Sequence, residues 1–242
     1  MDLRELRLRY DRHYAPLNEG KDSLAAAQEA VGGDFEAPGA LEFYALKAHG
    51  LTLDSFVVDV GCGTGRLALQ LARRGYRRYA GFDIVPSAVE FARRLCGKPD
   101  WEFAATDGLR PPLGDAVADF VCFFSVFTHV VQEHAYLLLG EAARVLRPGG
   151  VAIFTFLEFS VPCHWEHFEG AVKRFGGNLE PIVFLGRDAI AAFAAHLGFE
   201  VVNVVDGDKP TFPIDEEIVT GDGRVLRERG YLGQSLAILR RR

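Results

Sequence analysis

The run VVDVGCGTGR at residues 57–66 constrains the fold more than any other stretch of this 242-residue chain. Its first half consists of apolar β-forming residues, as in a strand that is covered on both faces. Gly61 and Gly63 then allow a sharp turn and a close backbone approach that side chains would prevent. Thr64 and Gly65 begin a helical pattern whose free amide groups favour an electron-rich partner. A strand, a glycine turn and a helix in this order predict a parallel α/β sheet with a ligand at the end of the strand.

Strand and helix patterns alternate from about residue 55 onwards. Seven apolar stretches, most of them without polar alternation, are predicted as strands: 56–60, 79–83, 101–105, 118–125, 151–158, 199–206 and 233–240. Helical periodicity marks the segments 64–74, 86–96, 133–146 and 187–197. Gly75, Gly97 and Pro148 follow the first three of these helices, as helix stop signals do. Repeated strand–helix–strand units predict a doubly wound α/β fold, with a mostly parallel seven-stranded sheet and helices on both faces.

Composition and charge exclude several classes of protein. Apolar residues make up 49% of the chain and charged residues 25%, which is ordinary for a globular domain and argues against disorder. The formal net charge of −6 argues against a nucleic-acid partner. The charged N-terminus does not resemble a signal peptide, no apolar run is long enough to span a bilayer, and the four cysteines form no C-x-x-C pair. We expect a reduced, cytoplasmic protein without nucleic-acid or membrane partners, and the sequence leaves its oligomeric state open.

The spacing of the glycines separates two kinds of nucleotide-binding turn. A dinucleotide fingerprint reads G-x-G-x-x-G and would place its third glycine at position 66. This chain has Arg66 there and Gly65 one position earlier, which disfavours a nicotinamide dehydrogenase. The string D-x-G-x-G-x-G that begins at Asp59 instead resembles motif I of the class I S-adenosylmethionine (SAM) methyltransferases.

The resemblance extends along residues 50–158 and 187–242. GFDIVPSAVEFAR places Asp83 at the end of the second strand, and ATDGL places Asp107 after the third. ADFVCFFSVFTHV is similar to the family's fourth strand, and EAARVLRPGGVAIFTF to the helix, loop and strand that follow. GFEVVNVVDGD and GQSLAILRR look like the family's final antiparallel pair. The resemblance therefore implies that the last strand of the sheet is antiparallel.

The same resemblance implies SAM as the cofactor and gives individual positions a role. Asp59 would hold the amino group of SAM, so that an ammonium matches its buried charge. Asp83 would accept hydrogen bonds from the ribose hydroxyls, and Asp107 would meet the adenine amino group. As the alternative, Asp107 is only a turn residue. The predicted cofactor-binding residues are Asp59, Gly61, Cys62, Gly63, Gly65, Asp83, Ile84, Asp107, Gly108, Ser125 and Tyr14.

Three stretches lie outside the strand–helix rhythm. The predicted organisation is one methyltransferase domain over residues 1–242, with an N-terminal helical lid at 1–50 and insertions near the acceptor at 159–186 and 207–232. The last insertion contains the turn signal Gly221-Asp222-Gly223 between two β-forming segments, which predicts a hairpin.

The lid is predicted from the segment RYDRHYAPLN. Its Tyr10, His13 and Tyr14 resemble the aromatic segment that folds over SAM in many small-molecule methyltransferases. A segment that closes on binding would exclude water from the transfer. Ordinary helix packing is the alternative.

Candidate catalytic residues follow the fourth and fifth strands. A methyl sulfonium is already electrophilic, but a hydroxyl acceptor must also lose its proton, and histidine is the usual base. His129 follows the fourth strand, and His164 and His167 follow the fifth; these three are the predicted catalytic residues. Packing or a backbone hydrogen bond is the alternative for each, and Glu158 is a further candidate for orienting the acceptor. No metal site is predicted, because His129 and His134 lack the i, i+4 spacing of a two-histidine pair.

The predicted function is transfer of a methyl group from SAM to an oxygen atom of a small organic acceptor such as a sugar or secondary metabolite. Transfer to a nitrogen atom is less favoured. SVFT stands where members that methylate amino groups carry Asn/Asp-Pro-Pro-Tyr/Phe, which disfavours nucleobases and glutamine. Phenylalanines near the strand exits favour an apolar acceptor cleft. A SAM-binding or regulatory protein without catalytic activity is the alternative that stays open.

Overall fold

The computed structural model of the chain describes residues 34–174 and 182–242 and, before them, only Arg7, Leu8, Tyr10, Asp11 and Gln28. The strands are β1 (Phe56–Val60), β2 (Arg78–Asp83), β3 (Glu102–Ala105), β4 (Ala118–Phe123), β5 (Leu146–Phe156), β6 (Phe199–Val205), β7 (Phe212–Pro213), β8 (Ile218–Val219), β9 (Val225–Leu226), β10 (Arg229–Gly230) and β11 (Ser235–Arg241). The helices are α1 (Glu36–Lys47), α2 (Arg66–Arg73), α3 (Pro86–Cys96), α4 (Gln132–Val145), α5 (Trp165–Lys173) and α6 (Arg187–Leu197), with a 3₁₀ turn at Pro162–His164.

Seven of these strands form one sheet in the order β3-β2-β1-β4-β5-β11-β6. β1 runs parallel to β2, β2 to β3, and β4 to β5. β11 is antiparallel to both of its neighbours, β5 and β6. The prediction of a seven-stranded, mostly parallel α/β sheet with an antiparallel last strand and helices around it is confirmed.

The chain forms two compact units, of which the first comprises Met1–Pro111 and Pro210–Gly230. The apolar residues of its strands are enclosed: Val57, Val58 and Ala80 have no exposed surface. The predicted hairpin is present, because β8 pairs antiparallel with β9, and β7 pairs with β10 on either side of it. The first unit thus combines β1 to β3 with a late segment of the chain.

The second unit comprises Pro112–Lys209 and Tyr231–Arg242. Its core is rich in phenylalanine: Phe127 lies 5.0 Å from Phe123 and 4.8 Å from Phe154, measured between ring centroids. All three rings are at most 1% exposed. β4 and β5 are parallel, so their carboxyl ends and the loops that follow lie at the same edge. The organisation into one domain with a lid and two insertions stays a prediction.

None of the helices in residues 34–174 and 182–242 combines the length and the apolar character needed to cross a lipid bilayer. These residues also contain no group of three or more His, Cys, Asp or Glu side chains that could hold a metal ion.

Candidate active site

The glycine turn after β1 is held against the end of β2. Gly61 and Gly63 have φ angles of 81° and 51°, which glycine adopts without strain. The amides of Gly61 and Cys62 donate to the carbonyl of Phe82, at 2.7 and 3.1 Å. A Cβ atom added to Gly63 would meet no atom within 4 Å. The turn therefore presents an open backbone surface at the point where a ligand was predicted.

Two other positions of the turn have a packing role as well. A Cβ atom added to Gly65 would lie 2.9 Å from the Cβ of Ala92, so this glycine lets α2 and α3 approach closely. The Cys62 side chain is only 6% exposed, and burial raises the pKa of its thiol well above its usual value. Cys62 can therefore line a ligand through its backbone, whereas its thiol belongs to the interior. The cofactor contacts predicted for both positions stay predictions.

Asp83 bridges the glycine turn and the segment after β2. One carboxylate oxygen accepts the Gly63 amide at 2.8 Å, and the other accepts the Val85 amide at 3.0 Å. Burial raises the pKa of Asp83, and the backbone amides, including that of Ile84, oppose this rise. Each carboxylate oxygen can accept a further hydrogen bond, because it has two lone pairs. Asp83 therefore keeps the capacity to bind a diol while it fixes the shape of the turn.

Asp59 is 3% exposed near the end of β1. The Tyr79 hydroxyl donates to its Oδ2 at 2.9 Å. Gly81 makes room for this contact, since a Cβ atom there would lie 2.9 Å from the Tyr79 hydroxyl. Burial and the nearby Glu42 carboxylate raise the pKa of Asp59 to about 7, despite the opposing effects of Tyr79 and Arg66.

Glu42 of α1 is a second buried acid in the first unit, and sequence reasoning missed it. Its side chain is 6% exposed and forms an ion pair of 3.0 Å with Arg66, the first residue of α2. Burial raises the pKa of Glu42, and the charge of Arg66 opposes this rise. The available signal was an acid among apolar residues in GALEFYAL. Arg66, which separates this turn from a dinucleotide fingerprint, thus supplies the cation for a buried carboxylate.

Asp107 is exposed in the loop after β3. Its Oδ1 accepts the Leu109 amide at 2.9 Å, as in the turn that was the alternative interpretation. Gly108 has a φ of 82°, and the Thr106 amide donates to the carbonyl of Asp83 at 2.8 Å. The loop is therefore tied to the end of β2, and the adenine contact of Asp107 and Gly108 stays a prediction.

In the second unit, the loop after β4 is strongly constrained. Ser125 has a φ of 59°, which is uncommon for a residue with a side chain. Its amide donates to Thr155 Oγ1 at 2.8 Å, and its hydroxyl accepts Gln234 Nε2 at 3.1 Å. Thr128 Oγ1 donates to the Ser125 carbonyl at 3.0 Å, and the half-buried His129 follows directly. Ser125 and His129 are thus held beyond the carboxyl end of β4.

His164 is fully buried, whereas a general base must be accessible to the acceptor. Its Nδ1 lies 3.1 Å from both the backbone nitrogen and the carbonyl oxygen of Glu158. A Cβ atom added to Gly207 would lie 2.7 Å from its Nε2. Burial lowers the pKa of His164 and so favours the neutral form of the ring. This placement favours a structural role, and the predicted catalytic role remains without support from the geometry.

The buried Glu158 forms an ion pair with Arg187, whose side chain is 41% exposed. Arg187 Nε and Nη2 donate to its two carboxylate oxygens, each at 2.8 Å, and the hydroxyls of Ser160 and Ser235 donate as well. Burial alone would raise the pKa of Glu158, but these donors outweigh it and lower the pKa. The network links the exit of β5 to α6 and β11. It favours a structural role for Glu158 over contact with an acceptor.

His167 is exposed on α5, among a set of aromatic residues that the sequence did not resolve as a unit. The string FSVPCHWEHFEG has a high aromatic content but no clear period, so only its composition pointed to a site. Tyr14 and His13 lie outside the described residues. Asp11 is described, and its negative charge contributes to the raised pKa of Asp83.

Comparison with known proteins bears on the family. Residues 58–154, which begin in β1 and end in β5, match the family model described as "Methyltransferase domain". The sheet order is that of the class I methyltransferase fold. The chain therefore contains a methyltransferase domain of the class I fold, which the family model identifies over residues 58–154. The cofactor of these methyltransferases is SAM, as the sequence resemblance implied.

Several known methyltransferases are similar to this chain over part of their length. The O-methyltransferase cnsE of Penicillium expansum is 29% identical over 62% of this chain and 54% of its own. The 27-O-demethylrifamycin SV methyltransferase of Amycolatopsis mediterranei is 29% identical over 65% of this chain and 58% of its own. The chain thus spans little more than half the length of these relatives. Magnesium protoporphyrin IX methyltransferase of Synechocystis PCC 6803, solved with bound S-adenosylhomocysteine, shares the fold with a TM-score of 0.64 at 16% identity, covering 100% of both chains.

The residues of this chain fit SAM on three observations. The surface above Gly63 is open, as a closely approaching ligand requires. Thr64 Oγ1 is buried and has no hydrogen-bond partner among the described residues, as expected where a bound molecule supplies one. Asp59 and Glu42 are two buried acids beside one cation, Arg66, so the ammonium of SAM would complete the charge balance.

Proposed function

We propose that this methyltransferase transfers a methyl group from SAM to an oxygen atom of a small organic acceptor. One observation carries the proposal: the open glycine turn after β1 is fixed by Asp83, which binds the Gly63 amide at 2.8 Å and retains acceptor capacity. The similarity to the O-methyltransferase of Penicillium expansum supports oxygen as the methylated atom, with nitrogen second.

The residues of the first unit would hold the cofactor. When bound, SAM would supply an electrophilic methyl group to the acceptor oxygen and would leave as S-adenosylhomocysteine. Asp83 would accept hydrogen bonds from the ribose hydroxyls through lone pairs that the two amides leave unused. Asp59 would bind the amino group, and the backbone from Gly61 to Gly63 would line the methionine part. Ile84, Asp107 and Gly108 would enclose the adenosine.

The loop after β4 and helix α5 would contact the acceptor. The acceptor hydroxyl must lose its proton as its oxygen gains the methyl group, and the half-buried His129 is the group we assign to take it. The hydrogen bonds around Ser125 hold the preceding loop in one conformation, so His129 is carried on a preorganised turn. His167, exposed on α5, is a second candidate for contact with the acceptor.

The first test measures binding of S-adenosylhomocysteine, the product of the transfer, by isothermal titration calorimetry. We expect Asp83→Ala to weaken binding by about 1–3 kcal/mol, because a charged acceptor for two hydroxyls is lost. Asp54→Ala is the matched control: Asp54 is exposed, pairs with Arg77 and belongs to the same unit. Equal affinities of Asp83→Ala and the wild type would contradict the ribose role.

A second candidate function is SAM binding without transfer. It is favoured by the burial of His164 and by the ion pair of Glu158, which engage two of the groups considered for the acceptor. Incubation with methyl-labelled SAM and a pooled small-molecule extract separates the candidates. Transfer of the label to an extract component supports the enzyme. Tight binding of S-adenosylhomocysteine without any transfer favours the second candidate.

A further inference from the structure

Four aromatic rings on the segment after β5 form one connected surface. We call Phe159, Trp165, Phe168 and Phe184 the aromatic cluster. Phe159 and Phe184 are stacked, with ring centroids 4.2 Å apart and planes that differ by 11°. Phe168 meets Phe159 edge-on at 5.3 Å, and Trp165 lies 5.0 Å from Phe168. These spacings are those of interacting aromatic pairs, so the rings support one another as a preformed surface.

The aromatic cluster is open to solvent. Phe159 is 59% exposed and Trp165 is 48% exposed. α5, which carries Trp165 and Phe168, has no buried residue. Single exposed apolar residues are common on protein surfaces, whereas apolar side chains that are exposed together can form a binding surface. The cluster therefore has the character of a binding surface and not of a core.

Backbone hydrogen bonds fix the cluster to the loops that end β4 and β5. Phe184 forms a parallel bridge with Leu157, and the Leu185 amide donates to the Leu157 carbonyl at 2.8 Å. The Val183 amide donates to the carbonyl of Thr128 at 2.8 Å. Thr128 belongs to the same turn as Ser125. The cluster is thus anchored directly to the loop to which we assigned the acceptor chemistry.

Charge and area restrict what this surface can bind. Glu169, the acid that contacts the cluster, accepts the Trp165 indole N–H at 3.0 Å and lies 4.0 Å from Lys173 Nζ, so its charge is matched. The exposed parts of Phe159 and Trp165 amount to roughly 200–250 Å². A stable protein interface needs about 800 Å² on each partner. An uncharged molecule of one or two rings fits this surface, whereas a second protein chain would need several times the area.

We propose that the aromatic cluster binds a planar, uncharged aromatic part of the methyl acceptor, which stacks against Phe159 and Trp165. This inference rests on the proposed function and narrows its acceptor class to molecules that contain an aromatic ring. The cluster would hold the aromatic ring of the acceptor, while His129 on the loop after β4 takes the proton from its hydroxyl group. Phe159 and Trp165 are then specificity-determining residues.

The test uses 2-naphthol as the probe and decahydro-2-naphthol as its saturated, non-planar control. The chain has two tryptophans, and their indole N–H signals can be followed by ¹⁵N–¹H nuclear magnetic resonance. Trp101 is 6% exposed and donates to the Arg77 carbonyl at 3.1 Å, so it serves as the internal reference. We expect 2-naphthol to shift the Trp165 signal, to leave the Trp101 signal in place, and to bind about tenfold more tightly than the saturated control.

A variant pair locates the binding surface. We expect Phe159→Ala to raise the Kd for 2-naphthol about tenfold, because one stacking face is lost. Leu137→Ala is the matched control: it removes a side chain that is 55% exposed on α4, and the Kd should stay within about twofold. Equal affinity for the two probes, or an unchanged Kd in Phe159→Ala, would overturn the inference. A wild-type dimer that becomes monomeric in Trp165→Ala by sedimentation would also overturn it, because the cluster would then cover a second copy of the chain.

The same titrations separate this inference from the proposed function. S-adenosylhomocysteine binding without any 2-naphthol binding would overturn the aromatic acceptor and leave methyl transfer standing. Binding of 2-naphthol without S-adenosylhomocysteine binding would overturn the cluster's role as an acceptor site together with the proposed function. Binding of both supports the inference.

Discussion

At the scale of single residues, the most consequential finding is the surroundings of Asp59. The sequence placed an acid near the end of an apolar strand, and the resemblance gave it an ammonium partner. The structure adds Glu42 from α1 and the ion pair between Glu42 and Arg66. It also shows that the Tyr79 hydroxyl donates a hydrogen bond to Asp59, in the space that Gly81 leaves free by having no side chain. None of these pairings follows a local sequence pattern, because each joins residues from different elements. Sequence alone therefore predicted the acid but not the groups that set its charge.

The raised pKa of Asp59 makes stability depend on pH. Between its usual pKa of 3.8 and its folded pKa of about 7, the folded state binds more protons than the unfolded state. The free energy of unfolding should therefore fall as the pH rises through this window, by at most about 4 kcal/mol from this group. In Asp59→Asn, the free energy of unfolding should fall less between pH 5 and pH 8 than in the wild type, as measured by urea unfolding at both pH values. Asp100→Asn, at an exposed position of the same unit, serves as the control. A pH-dependent decline in Asp59→Asn that is as steep as in this control would refute the assignment.

At the scale of elements, the strands and helices of the sheet were predicted from their periodicity. β1 and α3 coincide with the predicted ranges, and the hairpin of β8 and β9 was found from its turn signal. α5 was missed because its apolar residues are not buried, so no contrast between an inner and an outer face marks its nine residues. β7 and β10 were missed because two-residue strands are too short to show alternation.

The contact between Glu158 and Arg187 joins three elements that are remote in sequence. We expect Arg187→Met to lower the free energy of unfolding by about 2–3 kcal/mol, because a carboxylate that is 4% exposed would lose its cation. Lys173→Met is the control: it removes a solvent-exposed ion pair with Glu169 and should change stability by less than about 0.5 kcal/mol. Urea denaturation of both variants measures the difference. Equal effects would show that the pair contributes no more than a surface contact.

At the scale of the whole molecule, both units contain residues from the last part of the chain. β11 lies between β5 and β6 in the sheet order, and its Ala237, Ile238 and Leu239 are at most 1% exposed. A chain that stops at Gly230 would leave both neighbouring strands without their partner. We expect this truncation to abolish the cooperative thermal transition followed by circular dichroism, whereas a chain that lacks only Arg242 should melt like the wild type. A truncated chain with the wild-type melting temperature would disprove this dependence.

The order of these segments has a consequence for biosynthesis. The first unit is completed by Pro210–Gly230 and the second by Tyr231–Arg242, so neither can close while the ribosome is still translating the middle of the message. The apolar strands that are synthesised early therefore stay exposed to solvent until the later strands are available to pair with them. Chaperone capture of nascent chains should be most frequent in this interval and should end once the last strand has left the exit tunnel.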